Sequence, residues 1–266
     1  MNKNSSIALK VIENSDIVCE VLDSRFPELT RIKYLERVIK EKGKSLIYVL
    51  NKCDLISLEQ AKEIKKELRP SVFVSVVKHY GITILKKRIL SLSKGKTIVG
   101  VVGYPNTGKS SIINALSGRK KALVSPTSGF TKGFQYAKIN KRVMLIDSPG
   151  MVPLNKKDEF LLGIIGGLDP NKMKDPILVA EKLINLQQEA IIEFYDIITE
   201  SRDCEEILEM LGKSLNFLSS GGKADLDRTA KKLIMDWQRG KIHLKMLDNE
   251  SNLNDLNQMN ESYEGN

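Results

Sequence analysis

The chain has 266 residues, of which 41% are apolar and 28% are charged. This length allows one sizeable α/β domain and a smaller second domain, and the apolar fraction excludes wholesale disorder. No apolar run approaches the ~20 residues of a membrane span, and the first residues lack the apolar core of a secretory signal. Three widely separated cysteines fit inert thiols in a reducing compartment. We therefore expect a cytoplasmic monomer with no membrane partner.

The net charge of +9 is distributed unevenly. The last nineteen residues, from Asp248 onward, hold five acidic groups and no Lys or Arg, so residues 1–247 carry a balance of +14. Such an excess favours a polyanionic partner, above all nucleic acid, because binding releases counterions. A lysine-rich surface that serves only solubility is the alternative.

The first part of the chain alternates predicted helices and strands. A strand ends in the turn at 23–27, because a residue that precedes proline leaves the helical region. Ser57 is the predicted N-cap of a later helix. Apolar runs of strand length and amphipathic patterns predict, in order, helix 7–14, strand 17–22, helix 30–42, strand 46–50, helix 58–68, strand 72–75 and helix 81–93.

The predicted sheet continues beyond a glycine-containing joint at 93–96, and helices alone follow it. We expect strand 98–102, helix 109–117 and a hairpin of strands 133–139 and 143–147, then helices over 157–165, 176–198, 203–218 and 225–246. Alternating strands and helices predict a mainly parallel, doubly wound α/β sheet. The chain thus divides into an α/β domain (1–155), a small all-α domain (156–247) and an acidic segment of disordered composition (248–266).

Residues 103–110, Gly-Tyr-Pro-Asn-Thr-Gly-Lys-Ser, match the phosphate-loop pattern between a strand and a helix. The backbone N–H groups of such a loop surround the β-phosphate, and the following helix N-terminus adds positive potential. Lys109 is expected to reach the β- and γ-phosphates, and Ser110 to bind Mg²⁺. The nucleotide contacts predicted along the loop are Asn106, Thr107, Gly108, Lys109, Ser110 and Ser111.

The segment 147–150, Asp-Ser-Pro-Gly, closes the second strand of the hairpin. Asp147 is expected to hold Mg²⁺ through water, and the Gly150 N–H to sense the γ-phosphate. Between this segment and the phosphate loop, Thr131 is the candidate switch threonine for Mg²⁺, with Thr127 as its rival. The predicted catalytic groups are Lys109, Thr131 and Gly150.

The segment 51–54, Asn-Lys-Cys-Asp, ends a buried strand, where α/β sheets place ligand contacts. The Asp54 carboxylate can accept both N1–H and N2–H of guanine, whereas adenine has no donor at N1. A polar site of this kind can reject the wrong base by ~10⁴-fold or more. The stem of Lys52 is expected to cover the base, and the Asn51 amide to hold neighbouring loops.

Ser75 and Val76 follow the next strand and match a second guanine loop, in which a backbone N–H meets O6. The base-reading segment therefore precedes the phosphate loop, the reverse of the order in an ordinary GTPase. With this order the chain resembles the circularly permuted GTPases of the YlqF/YawG type. Two further segments, 16–27 and 221–233, are similar to that family, and the resemblance covers about residues 7–245.

This resemblance implies a circularly permuted Ras-like P-loop NTPase domain followed by a small helical domain. It also implies GTP and GDP binding with Mg²⁺, GTP hydrolysis, and assembly of the large ribosomal subunit. The leading hypothesis is a switch that hydrolyses GTP slowly while docked on that subunit through rRNA. The alternative is a nucleotide-gated RNA or protein adaptor with negligible turnover.

Two residues bear on hydrolysis. Met151 follows Gly150, where Ras-like proteins carry a Gln that orients the attacking water, and a thioether cannot do this. The chain thus resembles GTPases whose slow intrinsic hydrolysis is accelerated by other means. Asn106 matches the asparagine that helps related GTPases to hold K⁺ near the phosphates, where a cation neutralises developing charge. Ordinary turn chemistry is the alternative for Asn106.

The last predicted helix has an apolar side and a basic side. At ~100° per residue, the apolar side consists of Leu226, Ala230, Leu233, Ile234 and Trp237. The basic side consists of Arg228, Lys231, Lys232 and Arg239, with Lys241 and Lys245 extending it. The apolar side predicts a core contact, and the basic side predicts either solvation or contact with rRNA phosphates.

Overall fold

The computed structural model describes residues 3–118, 136–150 and 158–242. The chain divides into two compact units, residues 1–157 and residues 158–266. The domain limits expected at residues 155 and 247 lie outside the described residues, as does the acidic segment 248–266, and they remain predictions. No helix in the described ranges combines the length and the apolar character that crossing a membrane requires.

A six-stranded sheet forms the centre of the first unit. Its strands are β1 (Ile17–Asp23), β2 (Ser45–Asn51), β3 (Ser71–Phe73), β4 (Thr97–Gly103), β5 (Tyr136–Lys138) and β6 (Val143–Asp147). Their spatial order is β3-β2-β1-β4-β6-β5. All pairs are parallel except β5 with β6, which form the expected hairpin. The prediction of a mainly parallel α/β sheet is confirmed.

Six α-helices accompany this sheet in the described part of the unit: α1 (Lys3–Glu13), α2 (Pro27–Thr30), α3 (Lys33–Glu41), α4 (Leu58–Glu67), α5 (Ile82–Leu92) and α6 (Lys109–Ser117). Ser57 caps α4 as expected. Its side chain accepts from the Gln60 N–H at 3.2 Å, while the Gln60 side chain accepts from the Ser57 N–H at 2.9 Å. This reciprocal pair satisfies two donors at the start of the helix. The central strand β1 is buried along its whole length, as in sheets covered on both faces.

The helix expected over about 30–42 is present as α3, but it begins only at Lys33, because the chain leaves the helical conformation between α2 and α3. Glu20, fully buried in β1, accepts a hydrogen bond from the Ile32 N–H at 2.7 Å. Thr30 accepts from the Asp23 N–H at 3.2 Å. Glu20 thus gives the Ile32 N–H a partner in place of a helical carbonyl, and the Thr30 contact ties α2 to β1. Burial raises the pKa of Glu20 to about 8, so the side chain is largely protonated at neutral pH.

The described part of the second unit contains four α-helices: α7 (Glu159–Ile164), α8 (Pro176–Tyr195), α9 (Cys204–Ser214) and α10 (Leu226–Gln238). The predicted apolar side of α10 does face a core, since Ala230, Leu233 and Trp237 are fully buried. The Trp237 Nε1–H donates to the Ile164 carbonyl at 3.0 Å. A buried indole thus keeps a partner for its one polar group.

Helix α10 is shorter than the expected 225–246. Gly240 takes a left-handed conformation with φ of 71°, and the Lys241 N–H donates to the Asp236 carbonyl at 3.1 Å. This is the Schellman arrangement, which ends a helix at a glycine that meets no steric penalty there.

Two of the cations predicted for the basic side, Lys232 and Lys241, form ion pairs with a buried carboxylate. Asp236 is 1% exposed, and its carboxylate receives Lys232, the Tyr195 hydroxyl at 2.9 Å and an ion pair from Lys241 at 2.9 Å. Burial works to raise the pKa of Asp236, but these hydrogen bonds and cations hold it below its usual range. Lys232 and Lys241 therefore neutralise a buried carboxylate.

We expect Asp236→Asn to lower the free energy of unfolding by about 2 kcal/mol at pH 7, because it leaves cations without their counter-charge. The folded-state pKa of Asp236 lies below the unfolded value. Its contribution is thus complete above the unfolded pKa of about 4 and is lost as the pH falls through the folded value. Urea unfolding of wild type and variant between pH 7 and pH 3 should show the difference shrinking.

Asp227→Asn is the matched control, since Asp227 is an exposed acid on α10 that pairs with Lys231 at 2.6 Å. Exposed pairs and helix-dipole contacts contribute less than about 1 kcal/mol. Equal losses in both variants, or a difference that does not change with pH, would contradict the role given to Asp236.

Candidate nucleotide-binding site

The predicted site residues that the structure describes lie at or just after the carboxyl ends of parallel strands. In the sheet, β1 lies between β2 and β4, with Asp23 opposite Asn51 and Val21 opposite Gly103. Asp147 ends β6, which is the other neighbour of β4. In α/β sheets the loops at this edge form the ligand crevice. Segments 51–54 and 103–110 therefore meet at one edge, although they lie far apart in the chain.

The phosphate loop has the backbone that its glycines predict. Gly103 has φ of 143°, and a Cβ there would lie 2.4 Å from the Val21 carbonyl oxygen, so only glycine lets β4 end this close to β1. Asn106 has φ of 56°, in the left-handed region that Asn tolerates better than most residues. This conformation supplies a backbone reason for Asn106. Its role towards K⁺ stays a prediction.

Lys109 lies within the phosphate loop. Its Nζ donates to the Tyr104 carbonyl at 2.5 Å, and the Thr107 hydroxyl donates to the same carbonyl at 3.0 Å. Burial lowers the pKa of Lys109 to about 8, and the nearby Asp147 acts in the opposite sense. The ammonium is thus held in the loop that would surround a β-phosphate. Ser111 is exposed at the third position of α6.

Two predicted Mg²⁺ groups lie together. The Ser110 hydroxyl donates to Asp147 Oδ2 at 3.3 Å, while Asp147 Oδ1 is buried and has no hydrogen-bond partner in the described structure. Burial raises the pKa of Asp147, and Lys109 lowers it. A hydroxyl and a carboxylate with an unsatisfied oxygen are the hard donors that suit Mg²⁺. The third predicted ligand, Thr131, and its rival Thr127 lie outside the described residues.

The segment after β6 runs against the phosphate loop. A Cβ on Gly150 would lie 2.7 Å from the Cα of Pro105, so the two backbones are in close contact. The Ser148 hydroxyl donates to the Val101 carbonyl at 2.7 Å, which fixes the start of the segment to β4. Gly150 thus lies beside the loop, as its predicted role requires. Met151 lies outside the described residues.

Asn51 joins the base-reading segment to the phosphate loop. Its Nδ2 donates to the Thr107 carbonyl at 2.8 Å, and the residue is only 5% exposed. Gly108 allows this approach, because a Cβ there would lie 2.2 Å from the same Nδ2. A direct hydrogen bond therefore connects the two reordered motifs.

Asp23 is a site residue that the sequence patterns did not single out. Its Oδ2 accepts from Lys52 Nζ at 2.7 Å and from Arg25 Nη2 at 2.8 Å. Burial works to raise the pKa of Asp23, but the two cations hold it well below its usual range. Burial also lowers the pKa of Lys52, and Asp23 opposes that shift. The sequence did contain a signal, since Asp23 directly follows the predicted strand 17–22, where α/β sheets place ligand contacts.

Asp54 lies within the short 3₁₀ turn Cys53–Leu55, which follows the end of β2. The turn is tied to the neighbouring strand region, since the Cys53 N–H donates to the Val74 carbonyl at 3.2 Å. Lys52 precedes it in a left-handed conformation with φ of 60°. The base-reading residues are thus carried by a compact turn fixed to its neighbours.

Ser75 closes the loop after β3 through hydrogen bonds. Ser75 and Tyr80 exchange backbone hydrogen bonds of 3.0 and 2.9 Å, and the Ser75 hydroxyl accepts from the Lys78 N–H at 3.1 Å. Val76 is partly buried against the sheet core. This loop leaves the same sheet edge as Asn51, and its contact with a guanine base remains a prediction.

The four predicted rRNA contacts of α10 have different surroundings. Lys232 is bound by Asp236, as described above, and Lys231 pairs with Asp227. The Arg228 guanidinium stacks 4.0 Å from the centroid of the Phe217 ring. Arg239 is exposed at the end of the helix.

A P-loop on a mainly parallel sheet, with its base-reading segment on an earlier strand of the chain, defines a circularly permuted GTPase. The sequence model described as RsgA GTPase matches residues 3–156, more than half of the chain. A second model, described as 50S ribosome-binding GTPase, matches residues 98–219. The chain belongs to the RsgA GTPase family.

Curated relatives carry similar sequences. An uncharacterised GTP-binding protein of Methanocaldococcus jannaschii is 41% identical over 253 residues, covering 91% of this chain and 66% of that protein. Nucleolar GTP-binding protein 2 of Saccharomyces cerevisiae is 37% identical over 247 residues, covering 88% of this chain and 51% of that protein. The chain thus spans about half to two thirds of the length of these relatives.

Solved structures support the fold. The GNP-bound YlqF of T. maritima superposes with a TM-score of 0.64 at 24% identity, covering 90% of this chain and 95% of that chain. A GDP-bound YlqF structure gives the same TM-score at 23% identity. At such identities the likeness concerns the fold.

We expect Asn51→Ala to weaken GDP binding about 10- to 100-fold, because it leaves the Thr107 carbonyl without a partner, at a cost of about 1–3 kcal/mol. Titration with fluorescent GDP measures the effect. Asn114→Ala, further along α6, is the control and should change affinity less than about twofold. Unchanged affinity in Asn51→Ala would show that the bond does not hold the site together.

Proposed function

We propose that this protein is a GTP-binding switch that hydrolyses GTP slowly and docks on the large ribosomal subunit, or its precursor, through rRNA. The observation that carries the proposal is the hydrogen bond from Asn51 to the Thr107 carbonyl. It holds the base-reading segment beside the phosphate loop, as the binding of one guanine nucleotide by both motifs requires.

Guanine is selected by Asp54, whose carboxylate accepts the two N–H groups that adenine does not present together. Lys52 covers the base, and its ammonium stays in place because Asp23 accepts from it at 2.7 Å. Ser75 and Val76 complete the pocket through a backbone N–H to O6. These contacts bind the guanine base of GTP and GDP in the same way. Only contacts with the γ-phosphate can therefore distinguish the two nucleotides.

Hydrolysis depends on charge placed around the γ-phosphate. Lys109 supplies an ammonium to the β- and γ-phosphates, and the Gly150 N–H donates to the γ-phosphate. Ser110, Asp147 and Thr131 would hold Mg²⁺, which neutralises charge on the phosphate oxygens when bound. Met151 follows Gly150 in place of a water-orienting Gln, and intrinsic turnover is therefore slow.

Asn106 provides a candidate route to faster turnover. Its amide oxygen, at the corner of the phosphate loop, is the kind of ligand that K⁺ accepts next to the β- and γ-phosphates. A cation there neutralises the charge that develops in the transition state, as an arginine finger does.

The large ribosomal subunit is proposed as the partner on two grounds. Residues 98–219 match a family described as 50S ribosome-binding GTPase, and the relative from S. cerevisiae is a nucleolar GTP-binding protein. Residues 1–247 also carry a charge balance of +14, which suits an rRNA surface. On α10, Arg228, Lys231 and Arg239 are the exposed or surface-paired cations for phosphate contact. Lys232 is left to its structural pairing with Asp236.

A nucleotide-gated adaptor with negligible turnover is the second candidate. Met151 favours it, because a chain without a water-orienting residue can bind GTP as a stable signal. The two candidates share the nucleotide site and the partner. They differ only in whether docking accelerates cleavage.

We expect large ribosomal subunits to raise the single-turnover rate of GTP cleavage at least tenfold over the protein alone. Subunits complete a site that lacks its own water-orienting side chain, whereas an adaptor would show no stimulation. Rapid-quench measurements with saturating subunits test this, and small subunits serve as control. Co-sedimentation with GDP and with a non-hydrolysable GTP analogue should show tighter docking with the analogue.

We expect Asp54→Asn to weaken GTP binding by 10²-fold or more and to shift preference towards xanthosine nucleotides, since the amide can donate to the extra carbonyl of xanthine. Competition titrations with GTP, XTP and ATP measure this. Equal binding of ATP and GTP by the wild-type protein would rule out the guanine assignment.

We expect K⁺ to raise the GTP cleavage rate several-fold over Na⁺ at equal ionic strength, and Asn106→Ala to remove the difference while GDP affinity falls only slightly. Steady-state phosphate release in the two chlorides measures it. The same rate in both salts would leave Asn106 with its backbone role alone.

A further inference from the structure

The first unit contains a long stretch of sequence without acidic residues. From Leu68 to Ile146 there is no Asp or Glu, whereas fifteen Lys and Arg occur there. At the overall frequency of 33 acidic residues in 266, about ten would be expected. The nucleotide chemistry described above uses only Lys109 among these cations.

The sheet gathers part of this charge at its amino-terminal edge. Lys94 and Lys96 lead into β4, and Lys141 and Arg142 lead into β6. The starts of β4 and β6 are adjacent, because these strands pair in parallel and the Thr97 N–H donates to the Arg142 carbonyl at 2.9 Å. Lys138 belongs to the same edge, since β5 runs antiparallel to β6 and ends there. These five exposed residues, Lys94, Lys96, Lys138, Lys141 and Arg142, form the amino-edge cluster.

The hairpin turn that carries Lys141 and Arg142 is fixed by hydrogen bonds. Asn140 Oδ1 accepts from the Arg142 N–H at 2.7 Å and from the Val143 N–H at 2.9 Å. The Ile139 N–H donates to the Val143 carbonyl at 3.0 Å. The backbone beneath the two cations is therefore ordered, which lowers the entropy cost of binding a partner.

Within the described residues no acidic side chain forms an ion pair with the cluster. Two acidic groups near the same edge have other partners. Asp16 accepts from the Ile98 N–H at 2.8 Å, and Glu13 pairs with Lys42 at 3.4 Å. By contrast, Lys66 on α4 has Glu63 at 2.6 Å. The five cations of the cluster outnumber Asp16 and Glu13, so the local potential is positive.

The cluster and the phosphate loop lie at opposite edges of the sheet. Strand β4 runs from Thr97 at the cluster to Gly103 at the loop. Seven residues in a strand span about 20 Å, at roughly 3.3 Å per residue. A polyanion bound at the cluster therefore leaves the nucleotide site open, and the two ligands can be bound together.

We propose that the amino-edge cluster is a second RNA contact of this protein, which binds the phosphate backbone of an RNA helix. The cluster consists of Lys and Arg alone and offers no aromatic ring on which a base could stack. We therefore assign the contact to phosphates. The choice of RNA over another polyanion rests on the proposed function. The existence of a polyanion site rests on the geometry and charge of the cluster.

The test compares two full-length variants that lose the same charge. One is Lys94→Gln, Lys96→Gln, Lys141→Gln and Arg142→Gln, which empties most of the cluster. The control is Lys40→Gln, Lys62→Gln, Lys65→Gln and Lys66→Gln, on exposed positions of α3 and α4. Binding of a fluorescein-labelled RNA duplex is measured by anisotropy over a range of KCl concentrations, and fluorescent GDP binding reports an intact fold.

We expect the cluster variant to bind RNA at least tenfold more weakly than wild type, and the control to stay within about threefold. The slope of log K against log salt should fall by about 3–4 for four lost phosphate contacts, at about 0.9 per contact. GDP affinity should be unchanged in both variants, and saturating GDP should not displace the RNA.

Equal weakening in the two variants would overturn the proposal, because net charge alone would then explain binding. Displacement of RNA by GDP would overturn it as well, by placing the RNA at the phosphate loop. Binding of anionic vesicles with the same dependence on the cluster, and none of RNA, would assign the surface to a membrane. The proposed GTPase switch would stand in all three cases, whereas a failure of subunits to stimulate cleavage would leave this site intact.

Discussion

The nucleotide site is organised by the buried hydrogen bond from the Asn51 amide to the Thr107 carbonyl. It depends on Gly108, because any side chain there would occupy the position of the amide. Through it the base-reading turn after β2 and the phosphate loop after β4 become one structure. Although β1 separates these two strands in the sheet, the bond bridges them and holds their loops side by side. Every role assigned to Lys52, Asp54 and Lys109 presupposes this connection.

A parallel sheet makes the order of the motifs along the chain unimportant. What positions the ligand groups is the common carboxyl edge of neighbouring strands, and this edge is the same wherever the chain begins. Asp23 shows that a strand between the two motifs also contributes a side chain to this edge. It ends β1 between the two motif-bearing strands, and its carboxylate holds Lys52 and Arg25. A strand that carries no nucleotide motif thereby fixes Lys52, the residue predicted to cover the base.

The two edges of the sheet have different chemistry. The carboxyl edge gathers buried polar groups, whose pKa values are shifted by burial and by each other, as at Asp23, Lys109 and Asp147. The amino edge gathers exposed cations that form no ion pair with an acidic side chain of the described residues, among them Lys96 and Arg142. Burial and pairing suit a site that must hold one small anion in a defined geometry. Exposure suits a surface that meets a long polyanion, such as the proposed RNA helix, where attraction over distance matters more than exact geometry.

Sequence by itself determined the features that depend on neighbours in the chain. Helix α6 begins and ends where it was predicted, and Ser57 caps α4 through its contact with Gln60, because both are set by local backbone and side-chain chemistry. The phosphate loop was equally readable from its glycines. Only the tertiary structure decided that the helix expected over about 30–42 begins at Lys33, after the Ile32 N–H has donated to Glu20, and that Lys232 pairs with Asp236. Those outcomes depend on burial and on partners that folding brings near, and a linear pattern of residue types does not contain that information.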